Sequence, residues 1–300
     1  MAEGTNGTHT QRHHAPPVVS GLSAFAGDYD LILCDVWGVI HNGLAAFPAA
    51  CSALGQARAG GATVVLVSNA PRPNRFVGQM LDGFGVPHSS YDSIVTSGDV
   101  TREVLAARPG VRMFHLGPPR DLGTFEGLNL VQSGLEEAEV MVCTGLLDDD
   151  VDTPEDYRGT LETMKAHNMP LICANPDLVV ERGETLIYCA GAIAQLYEQM
   201  GGEAIWCGKP YQAIYEVALG RAEAIRGRPI DRKRVLGIGD ALRTDIAGAN
   251  DAGFDSLFIS SGIHAQELKS LDGAIPDTES LADLFSGHAH PRGVMPRLAW

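Results

Sequence analysis

Short apolar runs alternate with amphipathic segments along most of the chain. Leu31–Val39 (LILCDVWGV) is an apolar run of strand length broken by Gly38. Thr63–Asn69 (TVVLVSN), Ser93–Ser97, Val111–Leu116, Val140–Thr144, Pro170–Ala174, Val235–Gly239 and Ser256–Ser260 predict further strands. Phe47–Gly60, Arg75–Phe84, a stretch ending at Ala107, Pro154–His167, Ala190–Met200 and Pro210–Arg226 carry apolar residues at helical spacing. Gly60-Gly61, Gly85 and Gly201-Gly202 act as stop signals. Strands alternating with helices predict parallel βαβ units and an α/β fold with a Rossmann-like core.

Four of the predicted strand ends carry complementary chemistry. Asp35 ends the first run, Ser68 and Asn69 end the second, Lys209 stands in Cys207–Pro210 (CGKP), and Asp240 ends Val235–Asp240 with Asp245 just beyond. In open parallel sheets, ligands bind beyond the carboxyl ends of the strands. A carboxylate, a hydroxyl, an amine and an acidic pair on one sheet edge suit a phosphate and a Mg²⁺ ion. Asp35 is the expected nucleophile, since a carboxylate can take a phosphoryl group covalently. Asp35 and Asp240 are the expected direct Mg²⁺ ligands, with Asp245 holding a coordinated water. Ser68 and Lys209 would hydrogen-bond and neutralise the phosphate oxygens. Each residue alone also fits a plainer role: an aspartate at a strand end caps a helix, Asn69 caps a turn, and Lys209 is a solvated loop lysine. The combination favours the site.

Because these four strand ends need one site, residues 101–205 read as an inserted α/β domain between two halves of a core, 21–100 and 206–286. Residues 1–20 read as a disordered leader, in which His9, His13 and His14 are solvated, and residues 287–300 as a loose tail. Asp148-Asp149-Asp150 reads as the solvated start of a helix.

Composition narrows the partners. The chain has 300 residues, 45% hydrophobic and 20% charged, which is ordinary for a globular protein larger than one typical domain. Twenty-two basic against 37 acidic side chains give a net charge of −15, which argues against nucleic acid and anionic membranes as partners. A small anionic substrate would need local cations or a metal. The six cysteines (Cys34, Cys51, Cys143, Cys173, Cys189, Cys207) show no CxxC pair and no zinc spacing, so they read as reduced, structural thiols of a cytoplasmic protein. The N-terminus has no apolar h-region, and no apolar run approaches a membrane span.

Asp35-Val36-Trp37-Gly38-Val39, Ser68-Asn69, Gly208-Lys209-Pro210 and Gly239-Asp240 with Thr244-Asp245 resemble the four motifs of the haloacid dehalogenase (HAD) superfamily. With Asn175-Pro176-Asp177 between the second and third motifs, the chain is similar to subclass IIA, the NagD-like and p-nitrophenyl-phosphatase-like hydrolases. The resemblance runs from about Leu22 to Leu284. It implies a parallel-sheet core under a C2-type α/β cap, and a Mg²⁺-dependent aspartyl-phosphate mechanism. The implied reaction is hydrolysis of a small phosphorylated metabolite, such as a sugar or polyol phosphate. It further implies a metal contact from the Trp37 backbone carbonyl, leaving-group recognition by Asn175 and Asp177, and a homodimer joined cap to cap. Arg72 follows the second motif and is either a substrate contact or a surface arginine.

One position departs from the pattern. Trp37 stands where most relatives carry an acid/base aspartate, and an indole is only a weak donor. His41, four residues on, is the expected surrogate acid, against a plain structural role in its turn. Loss of the acid also admits two alternatives: a phosphotransferase, or enzyme for activated leaving groups, and a low-turnover phospho-ligand-binding regulatory protein.

Overall fold

The computed structural model describes residues 15–182, 185–288 and 290–300; most of the expected leader, 1–14, lies outside them. In chain order the regular elements are β1 (Leu31–Cys34), α1 (Pro48–Ala59), β2 (Thr63–Ser68), α2 (Asn74–Gly83), β3 (Ser93–Thr96) and α3 (Ser97–Ala106). There follow β4 (Arg112–Leu116), β5 (Val131–Gln132), β6 (Val140–Cys143), α4 (Arg158–Ala166), β7 (Leu171–Cys173), β8 (Val179–Arg182), β9 (Thr185–Tyr188), α5 (Ala190–Gln199) and β10 (Ala204–Trp206). The chain ends with α6 (Gln212–Arg226), β11 (Val235–Gly239), α7 (Ala247–Asp251), β12 (Asp255–Ile259), α8 (Thr278–Leu284) and β13 (Gly293–Met295).

Two parallel sheets result. The first has the order β13-β12-β11-β1-β2-β3, and the second β10-β7-β6-β4-β5. The chain runs outward from β1 through β2 and β3, builds the second sheet, and returns on the other side of β1 as β11. The boundary between β1 and β11 is therefore the switch point of the sheet, where diverging loops leave a crevice. β1 is central and buried at every position, because helices cover both faces of a parallel sheet. One face packs Ile32, Leu54, Val64, Leu66 and Leu81 with α1 and α2. The opposite face packs Leu31, Leu33, Val65 and Val67 with α3 and α6, and this cluster continues into Met113, Val140 and Ile172 of the second sheet. A second core, with Met141, Leu161, Leu171 and Tyr197, lies on the far side of the second sheet.

The ends of the chain differ from the sequence reading. The stretch from Gly287, expected to be loose, forms β13 beside β12 and buries Val294, Met295 and Leu298. Val18, inside the expected leader, forms a bridge with Val294. Edge burial of a short apolar run overrides the Pro, Gly and His around it. The antiparallel hairpin of β8 and β9, absent from the sequence reading although Gly183 stands between its strands in the sequence, follows Asn175-Pro176-Asp177.

Candidate active site

Asp35, Asn69 and Asp240 each stand immediately beyond a strand of the first sheet, at its carboxyl edge. Lys209, expected at a fourth strand end of the same sheet, instead reaches that edge on the loop after β10, a strand of the second sheet. The Asp35 amide still bonds the Ile238 carbonyl at 2.8 Å, so the carboxylate is held by the sheet itself. Lys209 Nζ donates to Asp35 Oδ1 at 2.5 Å and to Asp245 Oδ1 at 2.7 Å. Asp245 reaches this position because a π-turn over Leu242–Ile246 folds it back, and its Oδ2 accepts the Ala241 amide at 3.1 Å. Asp240 Oδ2 accepts the Ile263 amide at 2.8 Å. Gly38 makes room for that carboxylate: its φ is +79°, and a Cβ there would lie 2.2 Å from Asp240 Oδ2.

Asp35, Lys209, Asp240 and Asp245 are all buried, at 9%, 4%, 6% and 6% exposure. One cation among three carboxylates leaves two uncompensated negative charges. Burial, opposed by Lys209 and reinforced by Asp245, pushes Asp35 up to about 7. Burial, with Asp35 and Asp245 beside it, also lifts Asp240 well above the usual carboxylate range. For Lys209, burial works against the charge, but Asp245 and Asp35 outweigh it and hold the ammonium protonated. Oxygens of Asp35, Asp240 and Asp245 all lie within 4.8 Å of one another. Hard oxygen ligands, excess negative charge and this spacing fit a divalent cation such as Mg²⁺.

A pH dependence follows. Because Asp35 titrates near 7 when folded and near 4 when unfolded, the metal-free protein loses stability as pH rises across that window. A divalent cation binds the deprotonated form. Mg²⁺ is therefore expected to raise the melting temperature more at pH 8 than at pH 6, measured by thermal denaturation with and without chelator. An equal shift at both values would contradict the assignment.

The second motif does something the sequence did not announce. Asn69 Oδ1 accepts the Lys209 amide at 2.8 Å and the Ser97 hydroxyl at 3.2 Å, while its Nδ2 donates to Asp177 Oδ1 at 2.9 Å. Gly208 sits among these groups, where a Cβ would meet Ser97 Oγ at 2.0 Å, Asn69 Oδ1 at 2.7 Å and Pro176 Cδ at 2.8 Å. Asn69 thus ties the lysine loop to the Asn175-Pro176-Asp177 loop. Asn175 Oδ1 accepts the Asp177 amide at 3.1 Å, and Arg243 Nη2 donates to the Pro176 carbonyl at 2.6 Å. Ser68 Oγ accepts the Ala70 amide at 3.2 Å and lines the same cavity.

That cavity has a volume of about 590 Å³ and lies between the carboxyl edge of the first sheet and loops of the second. Asp35, Trp37, Ser68, Asn69, Lys209, Asp240 and Asp245 line its floor; Asn175 and Asp177 line its wall. Arg72 faces it too, paired with buried Asp121 at 3.6 Å. Asp149 is not at a helix start, as expected of its run, but faces the cavity and pairs with Arg120. The helix begins later, at the Thr153–Asp156 capping box.

His41 does not suit the role of proton donor. It is fully buried between Trp37 (ring centroids 5.0 Å apart) and Phe84 (4.9 Å). Its Nδ1 accepts the Gly43 amide at 2.9 Å, and burial pushes its pKa down to about 4. The ring is neutral at pH 7, with its proton on an Nε2 that has no partner. The Trp37 indole packs against Gly43, where a Cβ would come within 2.7 Å of it, so the loop needs glycine there.

A haloacid dehalogenase-like hydrolase model matches residues 32–131, and a second, HAD-hydrolase-like, model matches 206–284. A crystal structure of a haloacid dehalogenase-like hydrolase from Brucella suis is 45% identical, with a TM-score of 0.83, and covers 94% of this chain and 100% of that one. The ribonucleotide monophosphatase NagD of Escherichia coli is 25% identical over 278 residues, 89% of this chain and 96% of the relative. The D-glycerol 3-phosphate phosphatase of Mycobacterium tuberculosis is 26% identical over 269 residues, 81% and 66% respectively. Among the described residues, no helix is long and apolar enough to cross a membrane. The motifs, the doubly sheeted α/β fold and these similarities agree, and the chain belongs to the haloacid dehalogenase-like hydrolase family, in its NagD-like, subclass IIA branch.

Proposed function

We propose that the protein is a Mg²⁺-dependent phosphatase that hydrolyses a small phosphorylated metabolite through an aspartyl-phosphate on Asp35. The observation that carries this reading is the Lys209 ammonium between Asp35 and Asp245, with Asp240 beside them, at the floor of a cavity of about 590 Å³. Asp35, Asp240, Asp245 and the Trp37 backbone carbonyl would hold the metal, which supplies positive charge to the phosphoryl oxygens. Asp35 attacks phosphorus. Lys209 steadies the phosphoryl oxygens and keeps Asp35 oriented, and Ser68 completes the cradle. Asn69, expected to bind phosphate directly, instead has its side chain holding the lysine loop in place.

Residues 101–205 act as the cap in this proposal, and the Asn175 and Asp177 loop faces the leaving group. The relatives named for ribonucleotide and glycerol phosphate substrates support a small phosphate monoester; a sugar or polyol phosphate fits the volume. The six free, buried cysteines support a reducing, cytoplasmic setting. A second reading, a phosphotransferase or a slow phospho-ligand-binding protein, is favoured by Trp37 alone, because no carboxyl stands two residues after Asp35. The deciding experiment is phosphate release from 4-nitrophenyl phosphate and a panel of phosphorylated metabolites, with and without Mg²⁺. Mg²⁺-dependent release supports the phosphatase. Binding of phosphate without release would move the assignment to the binding protein.

A further inference from the structure

The position two residues after the nucleophile holds an indole, and His41 is neutral and enclosed, so neither supplies a proton at pH 7. Apart from Asp35, Asp240 and Asp245, the aspartates that line the cavity are Asp121, Asp149 and Asp177. Asp149 is paired with Arg120, and Asp121 faces Arg72 at 3.6 Å. Burial raises the pKa of Asp121 as it does that of Asp177, but two guanidiniums, Arg120 and Arg72, oppose it there. Asp177 differs: its hydrogen-bond partner is a neutral amide, Asn69 Nδ2, at 2.9 Å.

Asp177 is also joined to the reacting end of the cavity. Asn69 accepts the Lys209 amide at 2.8 Å, and Lys209 Nζ touches Asp35 at 2.5 Å. The loop that carries Asp177 is clamped on its other side by Arg243 through the Pro176 carbonyl. The charges facing Asp177 are Lys209, Asp245 and Arg243, and burial raises its pKa despite the opposing effects of Lys209 and Asn69.

We propose that Asp177, on the loop after β7, is the acid/base residue of this enzyme, taking the part that a carboxyl at position 37 would otherwise play. The inference rests on the phosphatase reading. In the first half-reaction Asp35 forms a P–O bond as the ester P–O bond breaks, and the leaving oxygen takes the Asp177 proton. In the second half, water attacks phosphorus, Asp177 takes its proton, and the Asp35–phosphorus bond breaks. The products are an alcohol and inorganic phosphate, and both carboxyls return to their starting state.

Asp177→Asn tests this, because the amide oxygen preserves the contact with Asn69. Stopped-flow release is followed for 4-nitrophenyl phosphate, whose leaving group needs no proton, and for an alkyl ester, glycerol 3-phosphate first. The expected result is a burst of about one nitrophenolate per enzyme at close to the wild-type rate, then a stall as phosphoenzyme accumulates. First-turnover cleavage of the alkyl ester should fall by about 10²–10⁴-fold, the range of general acid catalysis. Asp177→Glu, which keeps the carboxyl, should recover part of that loss. Equal loss of both bursts would make Asp177 a loop latch and overturn the proposal, as would full alkyl activity in Asp177→Asn. A wild type that cleaves the aryl ester but no alkyl ester would also overturn it. A wild type inert on both would remove the phosphatase reading itself.

Discussion

Asp35→Asn is expected to lower steady-state phosphate release by about 10⁴-fold or more, the scale seen when a covalent nucleophile is removed. The amide cannot form the acyl phosphate, so no covalent intermediate accumulates on this chain. Stability should not fall with activity. The wild-type site holds three buried carboxylates against one ammonium, and burial already lifts Asp35 to about 7. A neutral isostere removes one uncompensated charge and still accepts the Lys209 proton. Denaturation of the metal-free variant at pH 8 should therefore show unchanged or higher stability. Release at the wild-type rate would remove Asp35 from the chemistry. Inactivity together with unfolding would show that the carboxylate serves the fold instead.

Lys209→Met should combine the two losses. Lys209 Nζ is the shared partner of Asp35 and Asp245, at 2.5 and 2.7 Å, and is 4% exposed. Its removal leaves three buried carboxylates without that cation, and breaking a buried ion pair from one side costs about 3–5 kcal/mol. The cost should appear at pH 8 in the presence of chelator, in urea denaturation. It should shrink at pH 5, where the raised pKa values of Asp35 and Asp240 allow both to bind protons. Mg²⁺ should restore part of the lost stability. Turnover should still fall by about 10²–10³-fold, the scale for losing one charge-stabilising donor in the transition state. A loss of stability independent of pH would mean that Lys209 acts by packing its stem, not by its charge.

Neither effect could be estimated from spacing, although the residues could be found that way. Asp35, Asn69 and Asp240 were legible because each follows an apolar strand, and parallel strands point their carboxyl ends to one side. Lys209 was legible from its Gly-Lys-Pro loop, although the strand before it belongs to the second sheet. Gly38 and Gly208 were legible as breaks, but only the fold shows that Asp240 and Asn69 occupy the space a side chain would need. The site also contains residues with no local signal: Arg243 on Pro176, Ser97 on Asn69, Asp121 against Arg72, Asp149 against Arg120. Their partners lie tens of residues away, where pattern in a short window carries no information. The hairpin of β8 and β9 and the edge strand β13 were missed for a related reason, since short strands gain their stability from a neighbour and not from their own sequence.

What the sequence determined by itself is therefore the inventory: an α/β chain of parallel units, the four motifs at strand ends, the family they resemble, and the absence of a carboxyl at position 37. Tertiary structure decided the rest. It folded the loop after β7 back onto Asn69, enclosed His41 between Trp37 and Phe84, and buried the charged floor under the second sheet. The physical reason is that proton affinity depends on burial and on the charges within a few ångströms, and both are set by packing between segments distant along the chain.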